Sequence, residues 1–190
     1  MTRVAIVPIR DFHGMTRLAS VVDQPARGVM ARSLAETALR AADRAGLDPI
    51  VLTGDADVRA WATTHGITVA PEIGHGLSEV VERAVTDHAD WLVLHADLPL
   101  VDAEALDLLV TGASRSPISM SMAPSMDGGT NAIAGSGPFR FAFGPGSFTT
   151  HLAAIPQATV VSDRRLALEV DTPTHVDALS AIGLLGSLTA

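Results

Sequence analysis

Residues 90–110 read DWLVLHADLPLVDAEALDLLV and contain one strand, one loop and one helix of the predicted fold. The apolar run 91–94 predicts a buried strand. Asp102 precedes an amphipathic stretch that ends at Val110. Its carboxylate is a suitable N-cap because it can accept a hydrogen bond from a free N–H of the first helical turn. Asp97 therefore lies in a loop that follows the carboxyl end of the strand.

The same order of strand and helix recurs three times before residue 90. The apolar runs that predict strands are residues 4–7, 50–52 and 67–70. The stretches with helical spacing are residues 25–45, the segment from a capping Asp55 through Thr64, and residues 77–88. This alternation is typical of a parallel sheet covered by helices on both faces. We therefore predict the α/β class, with residues 1–190 forming a single Rossmann-like domain of three α/β/α layers around a mostly parallel central sheet.

The sequence after residue 117 is less regular. The strands predicted there are residues 118–122, near a sheet edge, and residues 131–134, 159–161 and 166–170. Residues 135–147 contain too much glycine and proline for a regular element. Thr172 and Pro173 are typical of the first positions of a helix, which predicts a C-terminal helix after them.

The composition excludes several classes of function. The 190 residues include no cysteine, so a thiolate metal site and thiol redox chemistry are excluded. The basic residues number 13, all of them arginine, against 21 acidic ones, and the net charge of −8 argues against a nucleic-acid partner. No apolar run reaches the ~18 residues of a membrane span. No secretory signal is evident. We expect a cytoplasmic protein without a membrane partner, and the sequence permits a homodimer.

Polar residues follow several predicted strands at the edge where parallel sheets bind ligands. Arg10 and Arg17 lie in the loop after the first strand, Asp97 follows residues 91–94, and Asp171 follows residues 166–170. One or two carboxylates with substrate phosphates are a usual Mg²⁺ shell, and guanidinium groups neutralise phosphate charge. If the strands are neighbours, this pattern predicts metal-assisted phosphoryl or nucleotidyl transfer. Spacing alone equally allows both aspartates to be turn or capping residues.

Other motifs for nucleotide or hydrolytic chemistry are missing. The loop after the first strand contains a single glycine, Gly14, and the sequence has no Gly-x-x-x-x-Gly-Lys stretch. A dinucleotide-dependent enzyme and a P-loop NTPase are therefore disfavoured. Ser147, His151 and Asp127 are close in sequence, but no Gly-x-Ser-x-Gly elbow surrounds the serine, which argues against a hydrolase triad.

Five segments together resemble one known family. They are VPIR and TRLA within residues 7–19, LHADLPLVD at 94–102, APSMDGGTNAI at 123–133, FGPGSFTTHL at 143–152 and LEVDTP at 168–173. In this order they resemble the 2-phospho-L-lactate and phosphoenolpyruvate guanylyltransferases of deazaflavin coenzyme biosynthesis. Those enzymes belong to the nucleotidyltransferases with a molybdenum-cofactor-guanylyltransferase-like fold. The resemblance covers nearly the whole chain, and its motifs are specific in combination.

The resemblance implies that GMP is transferred from GTP to a small phospho-acid, with Mg²⁺ as cofactor and pyrophosphate as the leaving group. It implies that Asp97 and Asp171 bind the metal and that both aspartates and Arg17 are catalytic. The implied nucleotide contacts are Pro8, Arg17 and Asp97, and the implied contacts to the acid are Arg10, Thr130, Gly144 and Ser147.

The chain departs from the family pattern at several positions near these motifs. Arg10 stands where the family usually has its first loop lysine, and Met15 stands where it has the second. Ser125-Met126 replaces an Asp-Arg pair. Gly128 replaces a threonine and Ser78 an asparagine. Two alternatives therefore stay open: a nucleotidyltransferase of the same fold with another nucleotide or acceptor, and a non-catalytic homologue that binds a nucleotide or a partner protein.

Overall fold

The computed structural model describes residues 3–189, without the side chain of Ser187. Within that range, seven strands form one sheet in the order β3-β2-β1-β4-β6-β5-β7. The strands are β1 Val4–Pro8, β2 Asp48–Thr53, β3 Thr68–Pro71, β4 Asp90–Leu94, β5 Ser121–Pro124, β6 Thr130–Ser136 and β7 Thr159–Val160. Strand β6 is antiparallel to both of its neighbours, and the other pairs are parallel. The sheet is therefore mostly parallel, as predicted.

The helices follow the strands in the predicted alternation through residue 115. They are α1 Gln24–Arg44, α2 Ala56–Thr64, α3 Gly76–Thr86, α4 Ala103–Arg115, α5 Ser147–Ala154, α6 Arg164–Ala167, α7 Pro173–Ala181 and α8 Leu185–Thr189, with a 3-10 turn at Thr16–Leu18. Asp55 and Asp102 cap α2 and α4 as predicted: their carboxylates accept the N–H groups of Val58 and Ala105, each at 2.9 Å. No helix within the described range is both long and apolar enough to cross a membrane.

Alternate side chains of the central strands enter two separate cores. Val7 and Leu92 face a core shared with α1, α2 and α4, whereas Ile6 and Trp91 face a core shared with α3. This alternation follows from the two-residue period of a strand. It confirms the predicted three-layer arrangement, with helices on both faces of the sheet.

A third, smaller apolar cluster joins the loop after β1 to the C-terminal helices. Leu18 of the 3-10 turn packs with Leu34 of α1, Val170 and Leu179 of α7, and all four are buried. Since Leu18 and Val170 directly neighbour Arg17 and Asp171, this cluster brings two distant segments of the chain together at one end of the sheet.

The C-terminal predictions need correction. Residues 166–170 are not a strand: Asp163 caps the short helix α6 by accepting the N–H of Arg165 at 2.8 Å, and the segment after α6 joins no strand ladder among the described residues. Residues 118–122 are also not one strand, because Ser119 has a φ of 55°, which extended backbone does not allow. Strand β5 starts only at Ser121 and pairs on both sides.

The predicted irregular stretch 135–147 is shorter than expected. Strand β6 continues to Ser136, and helix α5 begins at Ser147. The sequence reasoning missed α5, which starts after Gly146 in the left-handed conformation (φ 70°). Glycine adopts this conformation without steric cost, so the chain can turn sharply into the helix at this residue.

Candidate active site

A cleft of about 460 Å³ opens at the carboxyl ends of β1, β2 and β4. Because β1 pairs in parallel with both neighbours, their carboxyl ends meet at one edge of the sheet, where such folds bind ligands. The lining includes Pro8 and Arg10 from the end of β1, His95 and Asp97 from the loop after β4, and Met15, Glu72 and Asp171.

Asp97 and Asp171 are held beside each other by the backbone. The N–H of Val170 donates to the carbonyl oxygen of Asp97 at 3.0 Å, so residue 171 begins next to the loop after β4. The positions of the two aspartates after predicted strands had indicated convergence through neighbouring strands. The structure reaches it by this one hydrogen bond and by the apolar cluster around Val170.

The two carboxylates have different surroundings. Asp97 Oδ1 is buried and has no hydrogen-bond partner among the described residues, and burial raises the pKa of Asp97, partly opposed by the neighbouring His95. Asp171 is paired with the guanidinium of Arg17, whose side chain is 68% exposed. One carboxylate therefore presents a free oxygen, and the other is balanced by a cation near the surface.

This pair fits a magnesium ion on chemical grounds. A buried carboxylate oxygen without a partner is costly, and a cation would satisfy it. Within residues 3–189 no group of three His, Cys, Asp or Glu side chains has metal-binding geometry. Two carboxylates are nevertheless sufficient where substrate phosphates and water complete the shell, which is the usual arrangement for Mg²⁺.

Arg10 and Met15 occupy the first loop in different ways. The side chain of Arg10 is exposed and lies 3.3 Å from the carboxylate of Asp11, at the cleft. Met15 has a φ of 54° and also lines the cleft. Its side chain packs against the apolar cluster of Leu18. At the position where the resemblance leads one to expect a lysine, the chain therefore has an apolar contact and no charge.

Thr130 and Ser147 form a second polar group beside the cleft. Strand β6 is antiparallel to β4, so its first residue, Thr130, lies at the edge where β4 ends. Ser147 is the first residue of α5, and its Oγ lies 3.2 Å from Thr130 Oγ1. The N–H of Ser147 donates to the carbonyl of Gly144 at 3.0 Å. The structure thus brings Thr130, Gly144 and Ser147 together, and their contact with a substrate stays a prediction.

His95 connects the cleft to this second group. The backbone N–H of His95 donates to the carbonyl oxygen of Asn131, the residue after Thr130, at 2.9 Å. Its ring lines the cleft and packs against Phe143, with ring centres 5.2 Å apart. The N–H of Phe143 in turn donates to Ser78 Oγ at 2.8 Å, so the serine at this departure position anchors the loop before α5.

Glu169 and His95 were not predicted as functional candidates, and His151 was considered only together with Ser147 and Asp127. Glu169 is buried, and desolvation together with the nearby Asp97, Asp127 and Asp171 raises its pKa to about 8. His95 has a buried Nε2 without a partner among the described residues. His151 is hydrogen-bonded to Thr130 at 3.0 Å. Each is of interest because of its burial and its neighbours, and no spacing in the sequence marks Glu169 or His95.

Ser147, His151 and Asp127 are not arranged as a catalytic triad. Asp127 bonds to Ser125, which lowers its pKa, and accepts the N–H of Gly129 at 3.0 Å. It makes no described contact with His151. The Ser125-Met126 departure therefore closes a tight turn with Asp127, and the Met126 side chain is 70% exposed at its tip.

Comparison with known proteins identifies the family. Residues 3–175 match the family model described as "Guanylyl transferase CofC like". The chain belongs to this family. Its relatives include the phosphoenolpyruvate guanylyltransferase of Roseiflexus sp. (strain RS-1), 32% identical over 160 residues, covering 80% of this chain and 72% of that protein. The phosphoenolpyruvate guanylyltransferase of Rubrobacter xylanophilus is 31% identical over 196 residues, covering 96% of each. The 2-phospho-L-lactate guanylyltransferase of Halomicrobium mukohataei is 31% identical over 177 residues, covering 90% of this chain and 82% of that protein.

Solved structures confirm the fold of this CofC-like chain. A cytidylyltransferase from Leptospira borgpetersenii matches with a TM-score of 0.60 at 14% identity, covering 100% of this chain and 97% of that chain. The molybdopterin-guanine dinucleotide biosynthesis protein A of Archaeoglobus fulgidus matches with a TM-score of 0.58 at 10% identity, covering 96% and 98%. Identities this low establish the fold alone. With the family, this fold makes the chain an enzyme of the nucleotidyltransferase class, as expected from the sequence.

Proposed function

We propose that the chain is a Mg²⁺-dependent guanylyltransferase in deazaflavin coenzyme biosynthesis. It transfers GMP from GTP to phosphoenolpyruvate or 2-phospho-L-lactate. The observation that carries this proposal is the pair Asp97 and Asp171 in a cleft at the carboxyl edge of the sheet, with Arg17 bound to Asp171. The names of the family relatives supply the two candidate acids.

The proposed reaction needs no covalent intermediate on the protein. A phosphate oxygen of the acid attacks the α-phosphorus of GTP, a new P–O bond forms, and the bond from the α-phosphorus to the bridging oxygen breaks. Pyrophosphate leaves with the electron pair of that bond. Both reactants are anions, so the protein's work is to hold them in line and to offset their charge.

The chain's own residues divide this work between the two polar groups. Asp97 and Asp171 would hold the Mg²⁺, which when bound neutralises phosphate charge. Arg17 would move from Asp171 to a phosphate oxygen, for which a guanidinium offers two parallel hydrogen bonds. Pro8 would contact the nucleotide at the end of β1, where it lines the cleft.

The acid would lie between the cleft and the second group. Arg10 lines the cleft from the first loop and would offer the acid a positive charge there. Thr130, Ser147 and the backbone at Gly144 would hold the acid through two hydroxyl groups and an amide. The proximity of the two hydroxyls supports this assignment, since together they offer one compact polar site.

Pyrophosphate release tests the proposal. Purified protein with GTP and Mg²⁺ is supplied separately with phosphoenolpyruvate, 2-phospho-L-lactate and 3-phosphoglycerate. Release with either of the first two, lost on addition of EDTA and in Asp171→Ala, is the expected result. Asp171→Ala is preferred to Asp97→Ala as the control, because Asp171 is one-third exposed and water can fill the space that its side chain leaves. No release with any acid, from protein that binds GTP, would refute the proposed acceptors.

Met15 favours one alternative, a nucleotidyltransferase of the same fold with another acceptor. Its apolar side chain lines the cleft where a family lysine would place a charge. An acceptor that places fewer phosphate oxygens near Met15 would fit this side of the cleft better. Turnover with a different phosphorylated acid, together with failure of both proposed ones, would establish this alternative.

A further inference from the structure

The hydroxyl of Thr130 receives a hydrogen bond whose direction the structure fixes. The N–H of Ala142 donates to His151 Nε2 at 2.8 Å. Since a backbone amide can only donate, Nε2 carries no proton. A neutral imidazole without a proton on Nε2 must carry it on Nδ1. His151 Nδ1 lies 3.0 Å from Thr130 Oγ1, so this N–H donates to the threonine oxygen.

The imidazole is held neutral by its surroundings. His151 is 1% exposed. Its ring centre lies 5.8 Å from that of Phe139, 6.4 Å from that of Phe141 and 5.4 Å from that of Phe143. Burial lowers the pKa of His151 to about 4. The ring is therefore a directional hydrogen-bond donor and not a positive charge.

The Thr130–Ser147 pair has one hydroxyl proton that is free to donate a further hydrogen bond. The two oxygens lie 3.2 Å apart, and one hydroxyl donates to the other across that contact. The pair has two hydroxyl protons, and one of them is used there. The proton from His151 occupies an acceptor position on Thr130. Among the described hydrogen bonds, the remaining hydroxyl proton has no acceptor, although both residues are only 2% exposed.

We infer that His151 is a positioning residue that makes the Thr130–Ser147 pair a hydrogen-bond donor toward an anionic oxygen of the acid substrate. The inference rests on the proposed function for the identity of that substrate. With Nδ1–H directed at Thr130, the pair can donate outward without losing any internal hydrogen bond. With the opposite tautomer, Nε2–H would face the N–H of Ala142. The hydroxyl of Thr130 would then have to donate its own proton to Nδ1, and it could no longer donate to the substrate. A carboxylate or phosphate oxygen accepts only, so the first arrangement selects it.

The tautomer can be measured without any substrate. Long-range proton–nitrogen NMR of protein labelled with ¹⁵N-histidine distinguishes the two neutral tautomers and the charged ring. The signal of His151 is assigned by its loss in His151→Gln. We expect Nδ1 to be protonated and Nε2 bare at neutral pH. A protonated Nε2 would overturn the inference, and this holds whether or not the proposed reaction occurs.

Two substitutions separate positioning from packing. In His151→Asn the side-chain amide can take the place of Nδ1 and still donate to Thr130. In His151→Gln the amide oxygen can take the place of Nε2 and accept from Ala142, but Thr130 loses its donor. We expect His151→Gln to raise the KM of the acid about tenfold, the effect of one lost hydrogen bond, with the KM of GTP changed less than about twofold. His151→Asn should recover most of this loss.

Each kinetic outcome has a distinct meaning. If both variants lose activity equally, or if the KM of GTP rises as much as that of the acid, His151 only packs the aromatic cluster and the inference is wrong. Adding His151→Gln to Thr130→Val should change the KM of the acid no further, because the bond to Thr130 is already gone. A further tenfold rise in that double variant would also contradict it. Wild-type protein that releases no pyrophosphate rejects the proposed function, while the NMR result continues to decide the tautomer.

Discussion

Replacing Asp97 by asparagine is expected to stabilise the ligand-free fold while abolishing turnover. Asp97 Oδ1 is buried without a partner among the described residues, and burial raises the pKa of this carboxyl. A buried acceptor left unsatisfied costs about 1–3 kcal/mol, and more when it is charged. Asparagine has nearly the same shape but cannot ionise, so it still leaves a buried polar atom without a partner and avoids only the additional cost of burying a charge. The free energy of unfolding should therefore rise by about 1 kcal/mol. In a chain of 190 residues each such kcal/mol raises Tm by roughly 2–4 °C.

Asp171→Asn is the matched control. Asp171 is one-third exposed and is paired with the exposed Arg17, and pairs of this kind contribute about 0.2–1 kcal/mol. Its removal should leave Tm unchanged or slightly lower. Both variants should nevertheless lose turnover, because both remove a proposed metal ligand. We therefore expect a rise in stability for Asp97→Asn, no rise for Asp171→Asn, and loss of turnover in both.

The assay is urea unfolding with EDTA present, followed by thermal unfolding with and without Mg²⁺ and GTP. The Tm of the wild-type protein should rise when Mg²⁺ and GTP are added, since ligands that bind only the folded state stabilise it. Both variants should lose most of that gain. The reasoning is refuted if Asp97→Asn is less stable than wild type in EDTA, or if it turns over at a near-normal rate.

Three further predictions concern acceptor binding, packing and pH. Ser147→Ala should raise the KM of the acid by about tenfold and leave the KM of GTP nearly unchanged in steady-state kinetics, and equal effects on both would contradict the role of this serine. Gly135→Ala should lower the free energy of unfolding by about 1–3 kcal/mol in urea titrations, because a Cβ there would lie 2.3 Å from Met120 Sδ and 2.9 Å from Trp91 Cη2. Unchanged stability would show that the strand relaxes freely. His151 has an ordinary pKa of 6.5 and one of about 4 in the fold, so below pH 6.5 the unfolded chain takes up the proton first. The free energy of unfolding should then fall by up to about 3 kcal/mol between those two values and level off below them. His151→Gln should lack this part of the pH dependence, and an identical slope would exclude burial of a neutral imidazole.

Local signals account for what the sequence could predict of the fold. The carboxylates of Asp55 and Asp102 cap their helices as expected, because capping depends on residues within one turn. The antiparallel strand β6 could not be placed beside β4, because helix α4 and strand β5 separate these two partners in the sequence. The segment 166–170 has a strand-like composition but pairs with none of the described strands, and its first two residues belong to helix α6, which Asp163 caps.

The candidate site was predictable to the extent that its residues follow strand ends. Asp97 directly follows strand β4. Asp171 was expected beside it at the end of a neighbouring strand, but it is the backbone hydrogen bond from Val170 to Asp97 that brings it there. Glu169 could not be selected in advance, because no spacing marks it, and the closeness of His151 to Ser147 in the sequence did not reveal its contact with Thr130. Their properties come from enclosure by segments that meet only in the folded chain.

The unequal partners of the two carboxylates fit the order of events that the proposed function requires. A partner that must be released when the metal binds should be held weakly, and the exposed Arg17–Asp171 pair satisfies this condition. A ligand that must not be blocked should have no partner, and Asp97 Oδ1 has none among the described residues. Four acidic residues line the cleft, Asp11, Glu72, Asp97 and Asp171, against one basic residue, Arg10, and this excess of acidic groups favours entry of a divalent cation. Asp97 and Asp171 would hold the cation, and Arg17, no longer paired with Asp171, would be available to offset the charge of the phosphates. The metal and the nucleotide should therefore each strengthen the binding of the other, because the bond that the first breaks releases the group that the second needs.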